Sequence, residues 1–126
     1  MAETATILFV DDDPSMLKMY SKRLELQGYG VITASDGEEA VAKAQAHVPA
    51  LIILDIELPK LDGFGVCRAI KANPATQHIP ILMFTAKGPP PESVAQLGLG
   101  PDVYVSKTMQ AASLLAQIAS LLERRR

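Results

Sequence analysis

Ile7-Leu8-Phe9-Val10-Asp11-Asp12-Asp13-Pro14-Ser15-Met16, residues 7–16, runs four apolar side chains straight into three acids and a proline. An apolar run this short, with no polar alternation, reads as a strand covered on both faces. Asp13 in front of Pro14 reads as a helix cap followed by the residue best suited to a helix's first position. The stretch therefore predicts a buried strand that passes into a helix through an acidic corner.

Including the first, Thr6 to Val10, there are five such apolar runs; the others are Val31 to Ala34, Leu51 to Leu54, Ile81 to Phe84 and Val103 to Val105. Longer helical patterns separate them. The alternation predicts an α/β fold, a doubly wound parallel sheet with helices on both faces. Leu51 to Leu54 and Ile81 to Phe84 suit central strands, and Val31 to Ala34 suits an edge. Asp55 ends the third run, and Lys107 stands just beyond the fifth. Charged residues that terminate buried parallel strands lie along the rim where open α/β sheets bind ligands, and hard cations favour their carboxylate oxygens.

The first predicted helix puts Leu17, Tyr20 and Leu24 on one face and stops at Gly28. A second opens at Asp36, with Glu39 as its capping-box partner, and turns Ala40, Val41, Ala44 and Val48 inward. Asp62 caps a third that reaches about Ala72, where Asn73-Pro74 ends it. The fourth segment, Glu92 to Leu97, is short and follows Gly88-Pro89-Pro90-Pro91, which reads as a stiff extended loop. A last helix starts near Thr108 and presents Leu114, Leu115, Ile118, Leu121 and Leu122, with Arg124-Arg125-Arg126 at the negative end of its dipole. The methionines at helical spacing are expected in the core.

With 126 residues, 48% of them hydrophobic, the chain fills one core, so residues 1–126 read as a single domain with a flexible lead at 1–5 and a basic end at 124–126. A net charge of −2 gives no general attraction to nucleic acid or anionic membrane. The lone cysteine, Cys67, lies between Val66 and Ile70 and reads as a buried structural thiol in a reducing compartment. No run approaches the roughly 18 apolar residues of a membrane span, and Met1 to Thr6 lacks the features of a secretion signal, so a cytoplasmic protein is expected. His47 and His78 have no acid or cysteine at ligand spacing and read as surface residues.

Four motifs, ILFVDDDPSM at 7–16, ILDIELPKLDG at 53–63, Thr85-Ala86, and the trio Tyr104, Ser106 and Lys107, occur in that order. Together they resemble the response-regulator receiver domain of two-component signalling, over nearly the whole chain. The resemblance implies a flavodoxin-like (βα)5 sandwich with strand order 2-1-3-4-5. It implies Asp55 as the phosphoacceptor for a sensor histidine kinase or phosphotransfer protein. Asp12 would bind Mg²⁺ directly, Asp11 largely through water, and Asp55 with the backbone carbonyl of Glu57 would complete the protein's share; Mn²⁺ is the expected substitute. Thr85, Ala86 and Lys107 would hold the phosphoryl oxygens, with Thr85 and Tyr104 as the switch. Such a domain catalyses only its own phosphoryl transfer and dephosphorylation and is otherwise no enzyme. It would act on an unknown output protein through the surface of the fourth helix, fifth strand and last helix.

Electrostatics points the same way. Three carboxylates within a few ångströms repel one another unless a divalent ion compensates them. With Mg²⁺ and Lys107 the loaded site is near neutral, and phosphorylation adds roughly one further negative charge for Thr85 and Lys107 to answer.

Thr108 stands where family members usually carry proline after the lysine. A non-proline cis bond costs about 2.5–4 kcal/mol, so a trans peptide is expected, with Thr108 capping the last helix. Glu57 and Lys87 would form an ion pair over the site that shields the acyl phosphate from water. The triple proline would stiffen the loop after strand four and limit the movement of the helix behind it. Two other classes compete. Asp11 and Asp13 also resemble the nucleophile and acid/base of haloacid-dehalogenase-like phosphohydrolases, although the chain is short for that fold. A non-phosphorylated pseudo-receiver that only binds protein is the other, and the intact acidic set argues against it.

Overall fold

A computed structural model describes residues 5–85, 103–107 and 111–124. Along the chain these form β1 (Thr6–Val10), α1 (Pro14–Leu26), β2 (Gly30–Ala34), α2 (Gly37–His47), β3 (Leu51–Leu54), α3 (Gly63–Ala72), β4 (Ile81–Thr85), β5 (Val103–Ser106) and α4 (Ala111–Arg124). The strands pair in parallel in the order β2-β1-β3-β4-β5, the flavodoxin-like order that the resemblance implies. All five apolar runs of the sequence are strands.

Successive side chains of a strand point to opposite faces, and here both faces are covered. Leu8, Val10, Ile52, Leu54, Ile81 and Met83 meet Ala40 and Ala44 of α2 and Val66, Cys67 and Ile70 of α3. Ile7, Phe9, Leu51, Ile53, Leu82 and Phe84 meet Tyr20 and Leu24 of α1 and Leu114, Ile118 and Leu121 of α4. On that second face Phe9 stacks on Tyr20 at 5.6 Å between ring centroids, and Phe84 meets Tyr20 edge-on at 5.2 Å.

Three aspartates start helices as read from the sequence. Asp13 accepts the Ser15 N–H at 2.9 Å, Asp36 the Glu39 N–H at 2.7 Å, and Asp62 the Gly65 N–H at 2.8 Å. Each such cap contributes about 1 kcal/mol. The side chain of Glu39 reaches one residue further back than a capping box requires, to the N–H of Ser35 at 2.7 Å and its hydroxyl at 3.1 Å. Gly28, at φ 94°, follows the end of α1.

Two inward placements are corrected. Val48 closes α2 in the left-handed region, at φ 43° and ψ 65°, and is 42% exposed. Pro49 behind it disfavours a further right-handed turn, so the side chain leaves the helical face. Met19 is 43% exposed although Met83 is fully buried. Cys67 is buried, and His47 and His78 are exposed, as read. No described helix is long and apolar enough to cross a membrane. The expectations for Ala86, Lys87, the Pro89 to Pro91 loop, the helix from Glu92 to Leu97, Thr108 and Arg125-Arg126 lie outside the described residues.

Candidate functional site

Strand register brings the acids together. Val10 pairs with Leu54 across β1 and β3, so Asp11 and Asp55, the next residue of each chain, leave the sheet side by side. Thr85 pairs with Ser106 across β4 and β5, and Lys107 follows at once. From there the Lys107 ammonium donates to Asp55 Oδ2 at 2.7 Å and to Asp11 Oδ2 at 2.9 Å. Asp11 is only 2% exposed and Asp55 9%. Two carboxylates so far from water need a cation between them, and Lys107 is that cation. Burial opposes the ammonium charge, but the hydrogen bonds to Asp55 and Asp11 outweigh it and hold the Lys107 pKa above the ordinary lysine value.

The remaining carboxylate oxygens face main-chain donors. Asp11 Oδ1 accepts the Asp13 N–H at 3.0 Å, and Asp55 Oδ1 lies 3.4 Å from the Glu57 nitrogen, a long contact. Gly63 starts α3 directly against the chain leaving Asp55. Its N–H donates to the Ile56 carbonyl at 2.8 Å, and a Cβ there would collide with the Asp55 carbonyl oxygen and lie 2.8 Å from Ile56 Cα. Only glycine fits that approach.

Asp12 is exposed and lines an adjoining cleft of about 420 Å³ with Ile56, Glu57, Leu58, Pro59 and Asp62. Of the three acids expected to converge, the structure brings Asp11 and Asp55 to one lysine and leaves Asp12 on the rim. Among the described residues no three His, Cys, Asp or Glu side chains are grouped so that they could hold a metal ion. The donor chemistry nevertheless suits Mg²⁺, which keeps several waters and takes one or two carboxylates. The main chains of Thr85 and Tyr104 lie on β4 and β5, while their side chains, like Ala86, fall outside the described residues.

The contact of Lys107 with Asp11 is absent from the sequence reading, as is the close approach of Gly63. The matched ends of β1 and β3 were the available signal for the first. Asp13, the acid/base of the phosphohydrolase alternative, has its carboxylate engaged as the cap of α1.

A doubly wound sheet whose rim carries a lysine-bridged acid pair defines a class of α/β ligand-binding domain. The family model of the response regulator receiver domain matches residues 7–119. The alkaline phosphatase synthesis transcriptional regulatory protein PhoP of Bacillus subtilis is 44% identical over 118 residues, covering 94% of this chain and 48% of its own length. The probable transcriptional regulator ycf27 of Cyanophora paradoxa has the same identity over 118 residues and the same coverage, 94% and 48%. The chain thus spans about half the length of the curated relatives it matches. Among solved structures, the chemotaxis protein CheY4 of Vibrio cholerae superposes with a TM-score of 0.85 at 33% identity, covering 94% of this chain and 99% of that one. The chain belongs to the response regulator receiver domain family.

Proposed function

We propose that Asp55 accepts a phosphoryl group from a phosphohistidine on a sensor histidine kinase or phosphotransfer protein, in a Mg²⁺-dependent reaction. The observation that carries this reading is the Lys107 ammonium shared between two buried carboxylates at the sheet rim. An Asp55 carboxylate oxygen attacks phosphorus while the bond to the imidazole nitrogen breaks, the imidazole keeping the electron pair. Such a transfer needs an in-line nucleophile and fixed positive charge rather than covalent help. Lys107 supplies part of that charge and stays within reach of the transferred oxygens. Asp11, Asp12, Asp55 and the Glu57 carbonyl would hold Mg²⁺, which when bound neutralises phosphoryl oxygens.

Phosphorylation adds roughly one negative charge where two carboxylates already share one ammonium. Lys107, Thr85 and Ala86 take up the new oxygens, and Tyr104 follows the displaced loop, which biases the surface around β5 and α4 between two states. The domain is a switch that turns over its own phosphoryl group and no other substrate. Its transcriptional relatives make gene control the output we favour.

Acetyl phosphate with Mg²⁺ should add one phosphoryl group to the wild-type chain, read by intact mass. Asp55→Asn should abolish the gain. A folded wild type that gains nothing would make the domain a protein-binding module, and a label that survives Asp55→Asn would move the acceptor elsewhere.

A further inference from the structure

The loop from Asp55 to Asp62 carries the acceptor at its start and supplies Glu57, Leu58 and Pro59 to the cleft. Its far side rests on the first turn of α2, an element that contributes no side chain to the site. There the Gly37 N–H donates to the Pro59 carbonyl at 3.2 Å. Lys60, at φ 71°, reaches across to Asp36 at 3.7 Å. A Cβ on Gly37 would collide with the Leu61 carbonyl oxygen and lie 2.6 Å from the Leu61 carbonyl carbon. Ordinary carbon contacts need about 3.5–4.0 Å. Since the obstacle is main chain, no change of rotamer relieves it. Gly37 is buried and helical, so glycine is required there by proximity and not by its dihedral angles.

We infer that Gly37 is a positioning residue for the phosphoacceptor loop: the first turn of α2 is the surface against which Pro59 to Leu61 are pressed, and it sets where Glu57 and the cleft floor lie. This deepens the reading of Asp55 as acceptor and rests on it. The loop has little slack to hide a displacement. Its Asp55 end is held by Gly63, Leu61 N–H folds back onto the Pro59 carbonyl at 2.8 Å, and the Leu61 side chain packs into the core beneath α2 and α3. A shift at Leu61 is therefore passed along the chain toward Glu57. Shifts of about 1 Å in a reacting assembly can cost on the order of 100-fold in rate.

The test compares Gly37→Ala with Ile70→Val, a core change in the same layer that removes one methyl group and places no new atom against the loop. Two quantities are read: the Mg²⁺ dissociation constant from the amide shifts of Asp55 and Glu57, and the labelling rate with acetyl phosphate at saturating Mg²⁺. Gly37→Ala is expected to weaken Mg²⁺ binding and slow labelling, each about tenfold, while Ile70→Val keeps both wild-type values despite its own lower melting temperature. Wild-type affinity and rate in Gly37→Ala would overturn the positioning role, as would losses in both variants that merely track stability. A wild type that takes up no phosphoryl group would instead remove the acceptor reading, and this inference with it. Should Gly37→Ala fail to fold, hydrogen exchange of the Gly37 amide in the wild type decides. Mg²⁺ should slow it several-fold, and an unchanged rate overturns the inference.

Discussion

The two faces of the sheet are filled by different means. Toward α1 and α4 the core is built around three rings, Phe9, Tyr20 and Phe84. Toward α2 and α3 the fully buried residues are aliphatic or sulfur-containing, with Ala40 and Ala44 as the inward residues of α2. Rings fill volume and hold helices off the sheet, whereas alanine and glycine let backbones approach. The loop from Asp55 to Asp62 is clamped on the aliphatic face, where Gly37 and Gly63 permit main chain to touch main chain. Bulk lies on one side and positional precision on the other.

The sharpest way to break this comparison is to remove a ring. Phe9→Ala should cost about 3–5 kcal/mol in urea denaturation, against about 0.5–1.5 kcal/mol for Ile52→Val on the opposite face. Equal losses would mean that the rings carry no special share of the packing. At the rim where the faces meet, Lys107→Met should cost about 2–3 kcal/mol, because two buried acids lose a charged donor. Mg²⁺ should restore part of the loss, read as a rise in melting temperature.

At the end of α2, Val48→Gly should stabilise the fold by about 0.5–1 kcal/mol, since a β-branched residue is strained at positive φ. A loss in thermal unfolding would show that its half-exposed side chain contributes more than the strain costs. The smallest effect is expected at the start of the same helix. Glu39 is held below its ordinary pKa by the Ser35 N–H first and then by Lys43. A depressed carboxyl contributes stability that is present above the unfolded value of 4.5 and lost as pH falls through the folded value. Solvent screens this exposed pair, so Glu39→Gln should cost only about 0.3–0.5 kcal/mol at neutral pH, and the two stability curves should converge in acid.

The strands and the three aspartate caps were legible because they depend on local pattern: apolar runs bounded by turns, and a short acid in front of each helix. So was the fate of Asp13, which Pro14 announces. Helical spacing misplaces Val48 because the proline that follows it ends the helix first. Met19 shows that spacing alone does not orient a residue on a helix with one narrow buried stripe. At the site, the nearness of Asp55 and Lys107 followed from strand ends. The bridge from Lys107 to Asp11 and the glycine clamps did not, because they depend on how separate elements meet in space. Asp12 lines the rim cleft for a local reason: adjacent residues leave a strand in different directions.

The pairing of Val10 with Leu54 has a consequence for assembly. A slip of one residue between these strands would invert one set of apolar side chains and also separate the two acids from their shared lysine. Alignment thus doubles as a proofreading mark: a sheet out of register loses its paired charges at the rim along with its core.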